Sequence, residues 1–388
     1  MSESIEIHGH CDARFQAVRD VFEEAFRRGD ELGASVCVTL EGEPVVDLFG
    51  GYADEARTRP WQRDSLVNVF STTKGMTALC ALRLVEEGRL DVDAPVAQYW
   101  PEFAAAGKAD MPVRYLLSHR AGLAAVKAPL APGSLYEWKT MTDALAAQEP
   151  WWTPGEAHGY HAMTFGFLVG EVVRRITGRS LGTYFREQFA DPLGLDFHIG
   201  LPETEDKRVS PLVQGPVHTE GGPDLFERIM ADPESLLAKA FINPPLLPTD
   251  ANTREWRAAE IPAANGHGTA AALARVYAAL SLGGDLDGVH VLSPEIIEMA
   301  RTEQSLGKDL ILPLVSRFGL GFGMPPAEEP VGPNFRVFGH AGAGGSYGQA
   351  DPENRMSFGY TMNLMHSGVW LVDPRPRALL AAAYAALG

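Results

Sequence analysis

Cysteine and positive charge are both scarce in this chain of 388 residues. The three cysteines, Cys11, Cys37 and Cys80, are odd in number and far apart, so the sequence predicts neither a disulfide framework nor a cysteine metal site. Reduced thiols in a cytoplasm account for them most simply. The formal net charge of −17 argues against nucleic acid and anionic membrane surfaces as partners.

Long apolar runs are also absent. No stretch reaches the length of about eighteen apolar residues that a membrane-spanning helix needs. Residues 1–6 have neither a basic region nor an apolar core, so we expect no secretory signal and a cytoplasmic location. His8, His10 and Cys11 cluster near the N-terminus without further ligands, and we therefore expect neither a metal ion nor another cofactor.

The stretch around residue 71 carries the most specific chemistry. An extended approach at 66–70 precedes an apolar spacing at 76–87 that predicts a helix. Ser71 then stands at the helix start, and Lys74 follows three residues later on the same face. A lysine can activate a serine as its base if burial or a positive field lowers the lysine pKa. The alternative is a serine or threonine N-cap followed by a solvated lysine.

Two further serine motifs lack the setting that catalysis needs. The same spacing recurs at Ser305, but Gly307 follows a helical run and is typical of a helix end. Ser346 lies in a G-x-S-x-G match, yet a strand rather than a helix is predicted after it. Asp351 and His366 also follow it too closely for the usual triad order, so we do not expect Ser346 to be the nucleophile.

Two other segments could complete a site. Tyr160 lies in a turn-rich loop before a helix. It is either a proton-transfer residue whose pKa a Lys74 cation lowers, or a ring packed at a helix entry. A glycine-dense turn at 339–346 ends a strand. One of its N–H groups could complete an oxyanion hole with that of Ser71, or the turn could be only a tight bend between edge strands.

Strands are predicted near both ends of the chain, and helices between them. The apolar patterns predict, in order, a helix at 12–28, strands at 34–40 and 44–49, helices at 162–177 and 180–189, strands at 335–340, 346–350 and 356–365, and a closing helix at 374–387. We expect the terminal pieces to form one antiparallel sheet with the terminal helices against it. The sequence therefore predicts an α+β protein.

Two domains are predicted from the same order of elements. Residues 1–70 and 266–388 would form an α/β domain, and residues 71–265 a mostly helical subdomain beside it. Prolines accumulate between residues 200 and 265, where we predict an irregular, lid-like segment. Active sites favour such domain junctions.

Three motifs occur in order along the chain: residues 71–74, Tyr160-His161-Ala162 and His340-Ala341-Gly342. With them, the chain resembles the serine β-lactamase and penicillin-binding-protein superfamily, and more closely its family VIII carboxylesterases. The resemblance covers nearly the whole chain, including residues 116–123. It implies a β-lactamase/DD-peptidase-like fold with a central antiparallel sheet and a helical subdomain, and a serine acyl-enzyme mechanism.

The resemblance also implies a role for each motif residue. Ser71 would attack an ester carbonyl, and Lys74 and Tyr160 would share the proton transfers. The backbone N–H groups of Ser71 and Ala343 would hold the oxyanion. The substrate would be contacted by His161, His340, Ala341 and Gly342.

Two departures from the β-lactamase pattern favour neutral esters. The pattern Tyr-x-Asn is replaced by a motif that ends in Ala162, which lacks the amide that would bind a β-lactam side chain. The pattern Lys-Thr-Gly begins here with His340, and histidine is mostly neutral at pH 7. We therefore predict a serine carboxylesterase for short-chain esters, in which weak β-lactamase activity could survive.

Other interpretations remain open at this point. Within enzymes they are a β-lactamase, a D-aminopeptidase or an acyltransferase of the same fold. From another class, a catalytically silent scaffold or ligand-binding relative would keep the fold alone. Trp151, Trp152 and the 200–265 segment either line the pocket or only pack. The expected partner is a small ester, and the expected assembly a monomer or small homo-oligomer.

Overall fold

A computed structural model of the chain describes residues 5–218, 224–245, 249–327, 329–368 and 370–388. The helices are α1 (Gln16–Arg28), α2 (Thr73–Glu86), α3 (Val96–Tyr99), α4 (Val113–Leu117), α5 (Trp138–Ala147), α6 (Thr164–Thr177), α7 (Leu181–Phe185), α8 (Asp191–Leu193), α9 (Leu225–Ala231), α10 (Leu236–Ile242), α11 (Arg254–Ala258), α12 (Ala270–Ser281), α13 (Pro294–Arg301) and α14 (Pro374–Ala385). The strands are β1 (Ile7–Cys11), β2 (Gly33–Leu40), β3 (Glu43–Gly51), β4 (Val67–Asn68), β5 (Phe197–His198), β6 (Val213–Val217), β7 (His267–Gly268), β8 (Asp285–Leu286), β9 (Val289–His290), β10 (Ser305–Lys308), β11 (Val315–Phe318), β12 (Phe338–Ala341), β13 (Tyr347–Asp351), β14 (Met356–Met362) and β15 (Leu364–Ser367).

A six-stranded antiparallel sheet joins the two ends of the chain, in the order β1-β3-β2-β14-β13-β12. The N-terminal hairpin meets the C-terminal strands where β2 pairs with β14, with Val38 opposite Phe358. This confirms the predicted α+β class and the shared sheet. Strand β1 was not predicted, because His8 and His10 interrupt any apolar alternation and its side chains are mostly exposed at the sheet edge.

Both faces of this sheet are covered by helices. Side chains of β2 alternate, so Val36 and Val38 pack with α1 and α14, whereas Cys37 packs with α12. On the α12 face, a Cβ on Gly359 would lie 2.2 Å from Ala270 O, so glycine at this position permits the close approach of helix and strand. The result is a helix–sheet–helix arrangement with α12 in the protein interior.

Helix α2 lies deep in the protein, against α6, α7 and α13 and near strand β12. Most of its residues are buried, as expected for a helix that is apolar on nearly all sides. At its N-terminus, the short strand β4 pairs with β7, which also pairs with β5. The residues before α2 are therefore held by backbone hydrogen bonds from a distant part of the chain.

Three local predictions are wrong. The 200–265 segment is not irregular where it is described, because it contains β6, α9, α10 and α11; these elements are too short to show a period in the sequence. Gly307 lies within strand β10 (Ser305–Lys308) rather than at a helix end, since α13 already ends at Arg301. The predicted strand 356–365 divides at Met362, after which β15 leaves the sheet and pairs in parallel with β6.

The division into two domains stays a prediction. Parts of the proposed lid-like segment, residues 219–223 and 246–248, lie outside the described residues. Within the described ranges, no helix combines the length and apolar character needed to cross a bilayer.

Candidate active site

The residues before Ser71 are held in an unusual backbone conformation. Val69 N–H donates to Gly266 O at 2.8 Å, which continues the pairing of β4 with β7. Phe70 has a φ of 41°, a left-handed value that is rare for a residue with a large side chain. Its ring packs edge-on against Trp256, with 6.2 Å between centroids. These contacts offset the backbone strain and place Ser71 at the start of α2.

Lys74 is fully buried, and its amine has three oxygen neighbours. Nζ lies 3.0 Å from Ser71 Oγ, 2.8 Å from Ala162 O and 2.9 Å from Ala263 O. Burial holds the pKa of Lys74 well below its ordinary value of 10.5. The sequence alternative of a solvated first-turn lysine is therefore wrong, since Lys74 is 0% exposed.

Tyr160 lies beside the same amine, with its ring centroid 4.6 Å from Lys74 Nζ. Burial raises the pKa of Tyr160; a hydrogen bond with Ser71 opposes this rise, and the charge of Asp309 adds to it. The prediction that a Lys74 cation lowers this pKa is wrong, because burial dominates and disfavours the charged forms of both side chains. Tyr160 is thus a neutral phenol within hydrogen-bonding reach of Ser71.

The glycine-dense turn lies directly against the segment that precedes Ser71. Gly342 N–H donates to Ser346 O at 2.8 Å, and Gly345 N–H donates to Gly342 O at 3.2 Å. A Cβ on Gly342 would lie 2.2 Å from Val69 O, so only glycine permits this contact. Across the part of the chain that is described, the backbone N–H groups of Ser71 and Ala343 have no recorded protein acceptor. Both residues line one cavity, where these N–H groups could receive an oxyanion.

Arg375 contacts this turn through its guanidinium group, and no pattern in the sequence predicted that contact. Its guanidinium donates to Gly344 O at 2.5 Å and forms ion pairs with Asp373 at 3.0 Å and Glu31 at 3.2 Å. Burial raises the pKa of Glu31 to about 7, and Arg375 opposes this rise. The available signal was an arginine just after Asp373, the N-cap of α14, but nothing local indicated that this arginine reaches the turn.

The cavity beside Ser71 has a volume of about 290 Å³ and mostly apolar walls. Its charged lining residues are already paired: Arg317 lies 2.9 Å from Glu303, and Asp373 contacts Arg375. The apolar walls are formed by Leu225, Phe241, Leu312, Pro313, Leu314, Phe318, Met324, Met365, Trp370 and Leu371, among others. Such a cavity favours an uncharged ligand.

The two motif histidines have different locations. His340 lines the cavity with Ala341 and Gly342, and burial lowers its pKa to about 3, so it carries no charge at neutral pH. His161 does not line it: His161 Nδ1 lies 2.7 Å from Gly159 O, and Leu123 N–H donates to Nε2 at 3.0 Å. Because both ring nitrogens are engaged by the backbone, we no longer expect His161 to contact the substrate.

Ser346 lies behind the turn rather than in the cavity lining. Its hydroxyl donates to Val69 O at 2.7 Å and lies 3.0 Å from Thr72 Oγ1. Strand β13 follows it directly, which confirms that this serine is not on a strand-to-helix elbow. Trp151 and Trp152 are absent from the cavity lining and pack against the buried cluster that contains Tyr160. From the 200–265 segment, Leu225 and Phe241 do line the cavity.

A family model described as Beta-lactamase matches residues 18–383. The curated protein "Esterase/beta-lactamase LipL" of Mycobacterium tuberculosis is 36% identical over 374 residues, which cover 95% of this chain and 85% of that protein. A crystal structure of a family VIII carboxylesterase is 44% identical, with a TM-score of 0.90 over 98% of this chain and 100% of that one. A penicillin-binding protein homologue from Caulobacter crescentus is 43% identical, with a TM-score of 0.89 over the same shares.

Proposed function

Because this chain belongs to the β-lactamase family, we propose that it is a serine carboxylesterase that forms an acyl-enzyme on Ser71. The observation that carries the proposal is the set of neighbours around Lys74 Nζ. Backbone carbonyl oxygens accept hydrogen bonds and cannot donate them. We infer that Lys74 is a neutral amine, because burial holds its pKa well below the ordinary value. Such an amine donates its two hydrogens to Ala162 O and Ala263 O, and its lone pair then faces Ser71 Oγ. Ser71 O–H then donates to Lys74, the geometry that a general base needs.

Acylation follows from this arrangement. Ser71 Oγ attacks the ester carbonyl carbon while its proton passes to Lys74, which becomes an ammonium. The carbonyl oxygen becomes an oxyanion that accepts hydrogen bonds from the N–H groups of Ser71 and Ala343. When the tetrahedral intermediate collapses, Tyr160 gives its hydroxyl proton to the departing alkoxide and regains one from Lys74. The products of this step are the free alcohol and the acyl-enzyme, with Lys74 neutral again.

Deacylation repeats the sequence with water in place of Ser71. Water attacks the acyl carbon, and its proton passes to the Lys74 and Tyr160 pair. The new oxyanion accepts hydrogen bonds from the same two N–H groups. Collapse returns a proton to Ser71 Oγ and releases the carboxylic acid, so the starting state of each side chain is restored.

The cavity supports a neutral ester as the substrate. A β-lactam or D-Ala peptide carries a carboxylate, which a free cation would bind. Among the described lining residues, Arg317 is the only arginine or lysine, and it is already paired with Glu303, while His340 is neutral. We therefore propose short-chain esters with uncharged acyl and alcohol groups as the substrate class.

Hydrolysis of p-nitrophenyl acetate, butyrate and laurate by wild type, Ser71→Ala and Ser346→Ala tests the proposal. We expect Ser71→Ala to abolish turnover, and Ser346→Ala to keep it because Ser346 does not line the cavity. Short chains should be hydrolysed fastest. A folded Ser71→Ala variant with wild-type turnover would exclude Ser71 as the nucleophile.

Weak β-lactamase activity is a second candidate, because the curated relative LipL is named for both activities. Because the described cavity lining contains no unpaired cation that could bind the carboxylate of a β-lactam, we expect nitrocefin to be hydrolysed far more slowly than p-nitrophenyl butyrate. Nitrocefin turnover that matches ester turnover would contradict our substrate class.

We also propose a cytoplasmic location and a monomer or small homo-oligomer. The location is supported by Cys11, Cys37 and Cys80, which are all free thiols. Fractionation and light scattering would test these two proposals.

A further inference from the structure

Asp309 is a buried carboxyl group with an unusual set of partners. Its side chain is fully buried, and among the described residues its nearest basic group is His158 Nε2, at 4.0 Å. Burial lowers the pKa of His158, so this neighbour is neutral near pH 7. An unpaired buried carboxylate is costly unless hydrogen bonds compensate it. Asp309 must therefore be held by uncharged donors.

Those donors come from two different segments. Oδ1 accepts hydrogen bonds from the backbone N–H groups of Tyr160 at 2.9 Å, Ile311 at 2.8 Å and Leu312 at 2.9 Å. Oδ2 accepts from Ser316 Oγ at 2.8 Å. One carboxyl group thus connects the Tyr160 loop to the loop between β10 and β11.

The same hairpin also holds the ring of Tyr160 and forms part of the cavity wall. Phe318, on β11, stacks on the Tyr160 ring with 6.0 Å between centroids and 16° between planes. Leu312, Pro313 and Leu314, in the hairpin loop, line the cavity beside Ser71. A shift of this loop would therefore move the phenol and the cavity wall together.

We propose that Asp309 is a positioning residue that holds the Tyr160 hydroxyl beside Ser71 and fixes the cavity wall at residues 312–314, so that one side chain sets both turnover and acyl-chain selectivity. The proposal rests on the proposed esterase function. It is also consistent with the chemistry, because burial and then the charge of Asp309 raise the pKa of Tyr160, and a neutral phenol is the form that donates a proton to the leaving group.

The test compares Asp309→Ala and Asp309→Asn with a matched control, Asp351→Ala. Asp351 is equally buried and accepts several hydrogen bonds, including those of Asn334 and Asn354, but does not line the cavity. We measure kcat and KM for p-nitrophenyl acetate, butyrate and laurate, together with thermal unfolding. Because a misplacement of about 1 Å can cost about 100-fold in rate, Asp309→Ala should lower kcat about 10- to 100-fold.

Selectivity separates positioning from a loss of stability. Asp309→Ala should also change the ratio of butyrate to acetate turnover, whereas Asp309→Asn, which keeps the Oδ1 acceptor, should restore most of kcat and the wild-type ratio. Asp351→Ala should lower the melting temperature and leave kcat and the ratio unchanged. Wild-type kcat and ratio in Asp309→Ala, or the same change of ratio in Asp351→Ala, would overturn the proposal.

If Asp309→Ala does not fold, Ser316→Ala decides the question. It removes the Oδ2 contact, together with the 2.9 Å contact of Ser316 Oγ with His158 Nε2, but keeps the three hydrogen bonds of Oδ1. We therefore expect an altered chain-length ratio with a smaller loss of kcat; an unchanged ratio and kcat would overturn the proposal. Fluorophosphonate labelling of Ser71 distinguishes failure of the positioning proposal for Asp309 from failure of the proposed esterase function. If wild type is labelled but hydrolyses no ester, slower labelling of the Asp309 and Ser316 variants than of Asp351→Ala supports the proposal, and equal rates overturn it. A wild type that is unreactive in both assays overturns both proposals.

Discussion

Replacing Gly342 by alanine should displace the turn that carries Ala343, because the added methyl group has no room. A Cβ at this position would lie 2.2 Å from both Val69 O and Ser346 Oγ, and 3.0 Å from Thr72 Oγ1. Non-bonded heavy atoms are comfortable at about 3.5 Å, so the turn or its neighbours must move by about 1 Å. Val69 cannot easily give way, since its N–H is bonded to Gly266 O.

The expected effect is larger on catalysis than on folding. Overpacking of this kind costs about 1–3 kcal/mol of stability. A displacement of about 1 Å at a catalytic donor costs about 100-fold in rate, or about 2.7 kcal/mol of transition-state stabilisation. Loss of one oxyanion donor costs about 100- to 1000-fold. We therefore expect kcat/KM to fall about 100-fold, although the contact of Lys74 with Ser71 is untouched.

The assay is steady-state hydrolysis of p-nitrophenyl acetate together with thermal unfolding. Gly323→Ala is the matched control, because Gly323 lines the same cavity but its Cβ would meet only Gly339 O at 3.6 Å, an ordinary contact. The control should keep wild-type activity and stability. Wild-type kcat/KM in a folded Gly342→Ala variant, or an equal loss in both variants, would refute the reasoning.

Two further predictions concern pH. Because burial lowers the pKa of Lys74, the acid limb of kcat/KM should lie well below pH 10.5, and a limb at the ordinary lysine pKa would contradict the neutral-amine mechanism. Burial raises the pKa of Glu31 from 4.5 to about 7, so between these pH values the folded state keeps a proton that the unfolded state has lost. The stability that this proton contributes is lost as the pH rises through that range. Relative to Glu31→Gln, wild type should lose up to about 3 kcal/mol of unfolding free energy between these two pH values in denaturant titrations, and parallel pH profiles would exclude this role.

Local spacing determined a large part of this protein. A helix start at Ser71 with Lys74 three residues on specifies a serine and an amine on one face, and the observed 3.0 Å contact agrees with it. Alternating and helical apolar patterns likewise predicted the β2–β3 hairpin, α6, α14 and the C-terminal strands. The order of three motifs along the chain then indicated the family. Each of these signals depends on neighbours within a few residues, so each could be read without coordinates.

The hydrogen-bond partners and pKa values of the site residues depend on the tertiary structure. The two carbonyl acceptors of Lys74 belong to Ala162 and Ala263, which are 88 and 189 residues away, and a backbone carbonyl has no residue signature. Asp309 and Arg375 act through distant backbone groups in the same way. The pKa values of Lys74 and Tyr160 follow from burial, which is a property of the packed chain. Residue types and their spacing thus indicated which groups could react, whereas burial and packing, which depend on contacts across the whole chain, set the pKa values of these groups and the lining of the cavity.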